Sequence, residues 1–373
     1  MPNITFAWEL GGSYGHLGQL LPVARELQRR GHRVSFILRE LTEAERLLAP
    51  HGLKWYQAPL WMGRVLGLPE TLNHAEMLMR YGFLNPTALL GVCRAWRHQF
   101  ELLAPDLVVF DYAPTAMLAS RGLSFAQLGL ATGFYVPPDQ QPLPPFRWWQ
   151  PAPGARLLDS QRQVENVVNQ VLHGLGQPLV GTLREVLACE HQLFTSLPEL
   201  DHYGSRSGDE FIGPIFALGQ GEDVAWPAQG SRRLFAYLKP DYGALEPLLQ
   251  ALDGLADTAV VLHIPGVARR TVQRFSNAHM RITPHPVDME QARRSCDGAL
   301  LHSGVGSTSA MLLAGKPVLL VPQQMEQTMF ARAVEKLGAG VVLPEASAGQ
   351  FPRLIKRAWT DASLAAAAQA FAR

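Results

Sequence analysis

One stretch constrains this chain more than any other: residues 302–327, HSGVGSTSAMLLAGKPVLLVPQQMEQ. The apolar run Ala299-Leu300-Leu301 feeds a Gly/Ser-rich turn, a short apolar helix follows, then the buried strand Val318 to Val321, then a polar loop. A backbone that bends through Gly304 and Gly306 and opens a helix at Ser307-Thr308 presents unpaired N–H groups at a positive helix end, which suits phosphate. The loop Gln323-Gln324-Met325-Glu326-Gln327 offers carboxylate and amide groups suited to hydroxyls. One end of the stretch fits a diphosphate and the other a sugar. The reading this imposes is a nucleotide-sugar-dependent enzyme.

The first half of the chain supplies a second ligand loop. Ile4 to Trp8 is a short apolar run of the kind buried in a parallel sheet, and it passes into Glu9-Leu10-Gly11-Gly12-Ser13-Tyr14-Gly15-His16. A helix follows with Leu17, Leu20, Leu21, Ala24 and Leu27 on one face, closed by Gly31, and Arg33 to Leu38 is the next strand. The Gly-rich loop therefore sits at the carboxyl end of a strand in a βαβ unit, where α/β sheets bind ligands. Its spacing is not GxGxxG, so a dinucleotide fingerprint is not supported. Leu107 to Phe110 is a further buried strand, and it ends on Asp111.

Further elements are expected as a mainly helical stretch between Trp61 and Phe100, helices at Thr115 to Arg121 and Arg156 to Leu187, and strands at Ser124 to Leu130 and Phe194 to Ser196. In the second half, strands are expected at Leu234 to Leu238 and Ala259 to Ile264. Helices are expected at Leu245 to Leu255, Met289 to Ser295, Phe330 to Leu337 and Phe351 to Arg373. The segment Phe134 to Pro153 holds too many prolines for regular structure and carries Phe146, Trp148 and Trp149. It either lines an acceptor pocket or packs as a rigid surface loop. Gly204, Ser205, Ser207, Gly208, Gly219, Gly221, Pro227 and Gly230 mark an interdomain connection. The expected organisation is an N-terminal acceptor-binding domain over residues 1–205, a linker over 206–230 and a C-terminal donor-binding domain over 231–373.

Composition removes whole classes of function. A net charge of +1 gives no electrostatic case for nucleic acid, and no run approaches the ~20 apolar residues of a membrane span. Cys93, Cys189 and Cys296 lie far apart without zinc-ligand spacing, and the N-terminus has neither basic region nor long apolar run. The expectation is a cytoplasmic protein whose oligomeric state is left open.

Two segments carry a family resemblance. GHLGQLLPVARELQRRGHRVSF, Gly15 to Phe36, resembles the N-terminal signature of GT-B glycosyltransferases. HSGVGSTSAMLLAGKPVLLVPQQMEQTMFARAVEKLGAGVVL, His302 to Leu343, resembles the donor-binding signature of the UDP-glycosyltransferase and macrolide-glycosyltransferase group. One departure is Phe235 to Pro240, where the family has a strand running into a Gly-Ser phosphate loop. The resemblance implies a GT-B fold, two Rossmann-like α/β domains facing each other across a cleft. It further implies inverting, metal-independent transfer of a hexose or deoxyhexose from a UDP- or TDP-sugar to a hydroxyl of a small-molecule or peptide acceptor, with no cofactor beyond the nucleotide-sugar co-substrate.

Such transfer needs a base for the acceptor hydroxyl and a positive environment for the departing diphosphate. His16, where the loop meets the helix, has the right side chain for the base and the resemblance gives it that role; as a bare residue it is equally an ordinary helix-cap or solvent-facing histidine. Asp111 is its expected carboxylate partner. Donor contacts are expected from His302 through its ring N–H, from Ser303, Gly304 and Gly306, from the hydroxyls of Ser307 and Thr308, and from Glu326 and Gln327 at the sugar. Lys239 adds charge if it points to the diphosphate rather than to solvent. No DxD motif adjoins either ligand loop, so no metal is implied. The competing readings are a GT-B protein that binds a nucleotide sugar without catalysis and a nucleotide-sugar 2-epimerase, which needs further carboxylates.

Overall fold

The computed structural model describes residues 1–12, 15–204, 206, 208–216, 221–255 and 257–373. Ser13 and Tyr14 of the Gly-rich loop, and Ser205, Ser207 and Gly219 of the expected linker, lie outside the described residues. The chain forms two compact units, Met1–Ile215 and Phe216–Arg373.

The first unit is built on seven parallel strands: β1 (Asn3–Trp8), β2 (Arg33–Leu38), β3 (Lys54–Gln57), β4 (Leu107–Asp111), β5 (Ala126–Ala131), β6 (His191–Phe194) and β7 (Glu210–Phe211). Their spatial order is β3-β2-β1-β4-β5-β6-β7. The inner strands are apolar at consecutive positions because helices cover both faces of a parallel sheet. Phe6, Phe36, Val109 and Leu130 pack with Leu17, Leu20 and Ala24 of the Gly15–Arg29 helix. The strand order changes direction between β1 and β4, the switch point beside which α/β sheets hold ligands. Trp8 and Asp111 are paired there in register. The two loops that follow, from Glu9 and from Tyr112, leave the sheet side by side.

The second unit repeats the plan with six parallel strands: β8 (Arg232–Tyr237), β9 (Thr258–His263), β10 (Met280–Thr283), β11 (Gly298–Leu301), β12 (Val318–Leu320) and β13 (Gly340–Val342). Their order is β10-β9-β8-β11-β12-β13, and the switch point lies between β8 and β11, where Tyr237 pairs with Leu301. Its core joins Leu234, Leu262, Leu300 and Leu319 to Leu248, Phe351 and Ile355 of the covering helices. Both units are thus the Rossmann-like parallel α/β layers expected from the sequence.

Several boundaries differ from expectation for local reasons. Residues 61–73 are irregular, and the first helix of that region, His74–Met79, starts where the Asn73 side chain accepts from Glu76 N. The helix expected through Leu187 is Gly154–Gly174, followed by a separate turn Leu183–Val186. The C-terminal segment breaks into Phe351–Thr360 and Ala362–Phe371, with Asp361 capping the second. The helix after β11 spans Val305–Leu313 and so opens before Ser307, because Ser303 turns the chain at φ 65° and Gly304 becomes the N-cap. The next helix, Met325–Lys336, starts five residues before Phe330 and takes Glu326 and Gln327 into its first turn. Strand β7 falls within residues 206–230.

The proline-rich segment has no regular element yet is firmly held. Leu143 N donates to Gln161 Oε1 at 2.7 Å, Phe146 N to Leu72 O at 2.7 Å, and Trp148 Nε1 to His202 O at 2.9 Å. Its Phe134, Tyr135, Val136, Leu143 and Phe146 side chains are buried.

Candidate active site

At the switch point of the first unit, the structure brings His16 and Asp111 together. His16 lies in the first turn of the Gly15–Arg29 helix, and its Nδ1 is 2.8 Å from Asp111 Oδ2. Asp111 is fully buried, and its Oδ2 also accepts from Gln19 Nε2 at 2.9 Å. Thr195 Oγ1 in turn donates to Gln19 Oε1 at 2.9 Å. The imidazole stacks on Trp8 with ring centroids 4.7 Å apart and 22° between planes. A carboxylate on Nδ1 selects the tautomer with the proton on that nitrogen and leaves the lone pair on Nε2. In this geometry Nε2 can accept a proton with the Asp111 carboxyl on the far nitrogen of the ring.

Glu9, two residues from Gly11, is a further buried carboxyl. Its Oε2 accepts from Thr115 N at 2.7 Å and Ala116 N at 3.3 Å, at the start of the Pro114–Ser120 helix. Burial raises its pKa from 4.5 to about 7, against the hydrogen bonds and Arg39, which pull it down. Leu10 N also donates to Tyr112 O at 2.9 Å. Three hydrogen bonds therefore join the segment before His16 to the segment that follows Asp111.

At the switch point of the second unit, His302 is buried with both ring nitrogens engaged. Nδ1 lies 3.1 Å from Val321 O, and Nε2 accepts from the Lys239 backbone N–H. Through those partners the ring's N–H meets a carbonyl, and the ring ties the loop after β8 to the loop after β11. Burial holds the His302 pKa down at about 4, with neighbouring Lys239 acting in the same direction, so the imidazole is neutral at neutral pH and supplies no cation. The positive field is left to the helix end and to half-buried Lys239.

Beyond His302, Ser303 is buried at its αL turn, and the Val305–Leu313 helix opens at Gly304 without a side-chain cap. Gly304, Gly306 and Ser307 are half-buried, and Ser307 Oγ donates to Gly304 O at 3.3 Å. Thr308 is fully enclosed. Its hydroxyl is buried and has no hydrogen-bond partner among the described residues. Gln327 Oε1 accepts from Gln323 N at 2.8 Å and so braces the loop at the head of its helix; Glu326 is half-buried beside it. Among the described residues, no three His, Cys, Asp or Glu side chains converge as metal ligands, and no helix is long and apolar enough to cross a membrane.

Gln19, Thr195, Glu9 and Tyr135 were not singled out from the sequence. Gln19 had a signal: it is three residues after His16 on a helix, hence on the same face. Thr195 and Tyr135, whose hydroxyl lies 3.4 Å from His16 Nε2, follow β6 and β5 and become neighbours only through the sheet order.

The chain resembles known proteins in sequence and in fold. Residues 247–373 match the C-terminal domain of erythromycin biosynthesis protein CIII-like proteins. A PGL/p-HBAD biosynthesis rhamnosyltransferase of Mycobacterium bovis is 27% identical over 297 residues, covering 73% of this chain and 65% of that protein. The chain thus spans just under two thirds of the length of that relative. The glycotransferase of kitacinnamycin superposes with a TM-score of 0.75 at 19% identity, over 100% of this chain and 94% of that one. The spinosyn rhamnosyltransferase SpnG complexed with thymidine diphosphate gives 0.68 at 18% identity, over 100% and 95%. At such identities the structural likeness is one of fold.

Proposed function

We propose that this chain, a GT-B protein of the UDP-glycosyltransferase-like group, is an inverting, metal-independent glycosyltransferase. It moves a hexose or deoxyhexose from a UDP- or TDP-sugar to a hydroxyl of a small-molecule or peptide acceptor. The observation that carries this reading is the buried His16–Asp111 pair, 2.8 Å apart at the switch point of the first unit. That pair favours transfer over binding alone, because it supplies the base that transfer needs. The rhamnosyltransferase relative and the thymidine diphosphate complex of SpnG support a deoxyhexose and a TDP donor.

In this mechanism the acceptor hydroxyl gives its proton to His16 Nε2 as its oxygen bonds to the anomeric carbon. The bond from that carbon to the diphosphate oxygen breaks, and its electron pair leaves with the diphosphate. Asp111 stabilises the imidazolium that forms. The N–H groups of Gly306 and Ser307 and the Lys239 ammonium meet the charge growing on the leaving group. His302 acts by fixing the Lys239 backbone beside that turn, while Glu326 and the amide nitrogen of Gln327 serve sugar hydroxyls.

The test is nucleoside diphosphate release from UDP- and TDP-sugars with hydroxyl acceptors, with and without EDTA, for the natural chain and His16→Ala. The expected result is turnover that survives EDTA and falls by about 10²–10⁴ in the variant, with nucleotide binding by calorimetry unchanged. Undiminished transfer by His16→Ala would refute the base, loss on EDTA would refute metal independence, and no nucleotide binding would refute the donor site.

A further inference from the structure

We propose that Tyr135 is a positioning residue whose hydroxyl covers the base nitrogen of His16 until an acceptor hydroxyl takes its place. The inference rests on the base role proposed for His16. With Nδ1 given to Asp111, Nε2 is the nitrogen that must receive the acceptor proton. The Tyr135 hydroxyl lies 3.4 Å from it. On another side Nε2 presses against Gly11, where a Cβ would come within 2.4 Å of it. His16 is 5% exposed and Tyr135 7%, so the base is closed off in this state.

The phenol is held to the same acid-bearing turn as the dyad. Tyr135 stacks on Tyr112, the residue after Asp111, with centroids 4.1 Å apart and 22° between planes. Its ring centroid lies 5.4 Å from that of the imidazole, with 32° between planes. The backbone around it is fixed, since buried Arg206 donates to Gly133 O at 2.6 Å and to Val136 O. What yields to an acceptor is therefore the side chain and not the loop. A contact of 3.4 Å is near the outer limit of a hydrogen bond, which suits one that has to be surrendered.

The consequence is suppression of donor hydrolysis. In that side reaction the water oxygen bonds to the anomeric carbon, the water proton goes to Nε2, and the nucleoside diphosphate leaves with the electron pair of the broken bond. With the phenol on Nε2, water finds no base; an acceptor that displaces the phenol uncovers it.

Tyr135→Phe removes the hydroxyl and keeps the ring. Two measurements on the full chain test the proposal: the ¹⁵N resonance of His16 Nε2 in its neutral form, assigned with His16→Gln, and nucleoside diphosphate release without acceptor. The expected results are a shift of the Nε2 resonance away from its position in the natural chain, and hydrolysis faster by about three- to tenfold, the span one hydrogen bond covers. Coincident Nε2 resonances in the two proteins, or unchanged hydrolysis, would overturn it. If neither protein turned over any donor, the transferase reading would fall by itself, and the nitrogen resonance would still decide whether the phenol covers Nε2.

Discussion

Glu9→Gln offers a test of the site's construction that needs no substrate. The Glu9 carboxyl is buried, and its pKa is raised from 4.5 to about 7 chiefly by that burial. The sign follows from linkage. Below pH 4.5 both folded and unfolded chains hold the proton and Glu9 costs nothing. Between 4.5 and about 7 the unfolded chain releases the proton first, so stability falls as pH rises. At ~1.36 kcal/mol per pH unit the loss reaches about 3 kcal/mol and is complete above pH 7. Glutamine keeps an oxygen for the Thr115 and Ala116 N–H groups and has no proton to lose. The variant is therefore expected to match the natural chain near pH 4.5 and to exceed it above pH 7 by up to about 3 kcal/mol. Urea unfolding followed by tryptophan fluorescence between pH 4.5 and 8.5 measures this, with the difference between the two proteins cancelling every other titrating group. A difference that stays flat across that range, or shrinks as pH rises, refutes the reasoning.

Two further predictions bear on the base. Asp111→Asn removes the carboxylate behind the imidazolium; a charge pair about 4 Å apart at an effective dielectric near 20 is worth about 4 kcal/mol, so kcat is expected to fall about 10³-fold with nucleotide affinity kept, and a loss under tenfold would argue against the dyad. Gly11→Ala places a Cβ 2.4 Å from His16 Nε2 at a backbone φ of 82°; transfer is expected to fall at least about tenfold while calorimetric nucleotide binding stays unchanged, and full transfer activity would show that Nε2 need not sit there.

The parts of this molecule that repeat with a period were legible in the sequence. Apolar runs such as Leu107 to Phe110 read as parallel strands, and a strand ending on Asp111 could be placed beside one ending at Trp8 because α/β sheets hold ligands at such ends. What escaped depends on neighbours far along the chain or on local geometry without a residue signature. Thr195 reaches Gln19 only because β6 lies two strands from β4. Ser303 adopts φ 65° without being glycine, so nothing in its identity announced that the following helix would start at Val305. The partners of His302 are backbone groups of Lys239 and Val321, which every residue type possesses.

That last point separates two histidines the sequence presents as equals. Each follows a buried strand at a Gly-rich turn, and each stands beside a switch point. His16 has a buried carboxylate on Nδ1, so a proton arriving at Nε2 creates a charge that is already answered. His302 has a carbonyl on Nδ1 and a backbone N–H pointing at Nε2, so protonation there would set a donor against a donor and bury an unanswered charge. Its pKa of about 4 expresses the same fact. The fold has therefore put the residue fit to take a proton in the first unit and one unable to do so in the second.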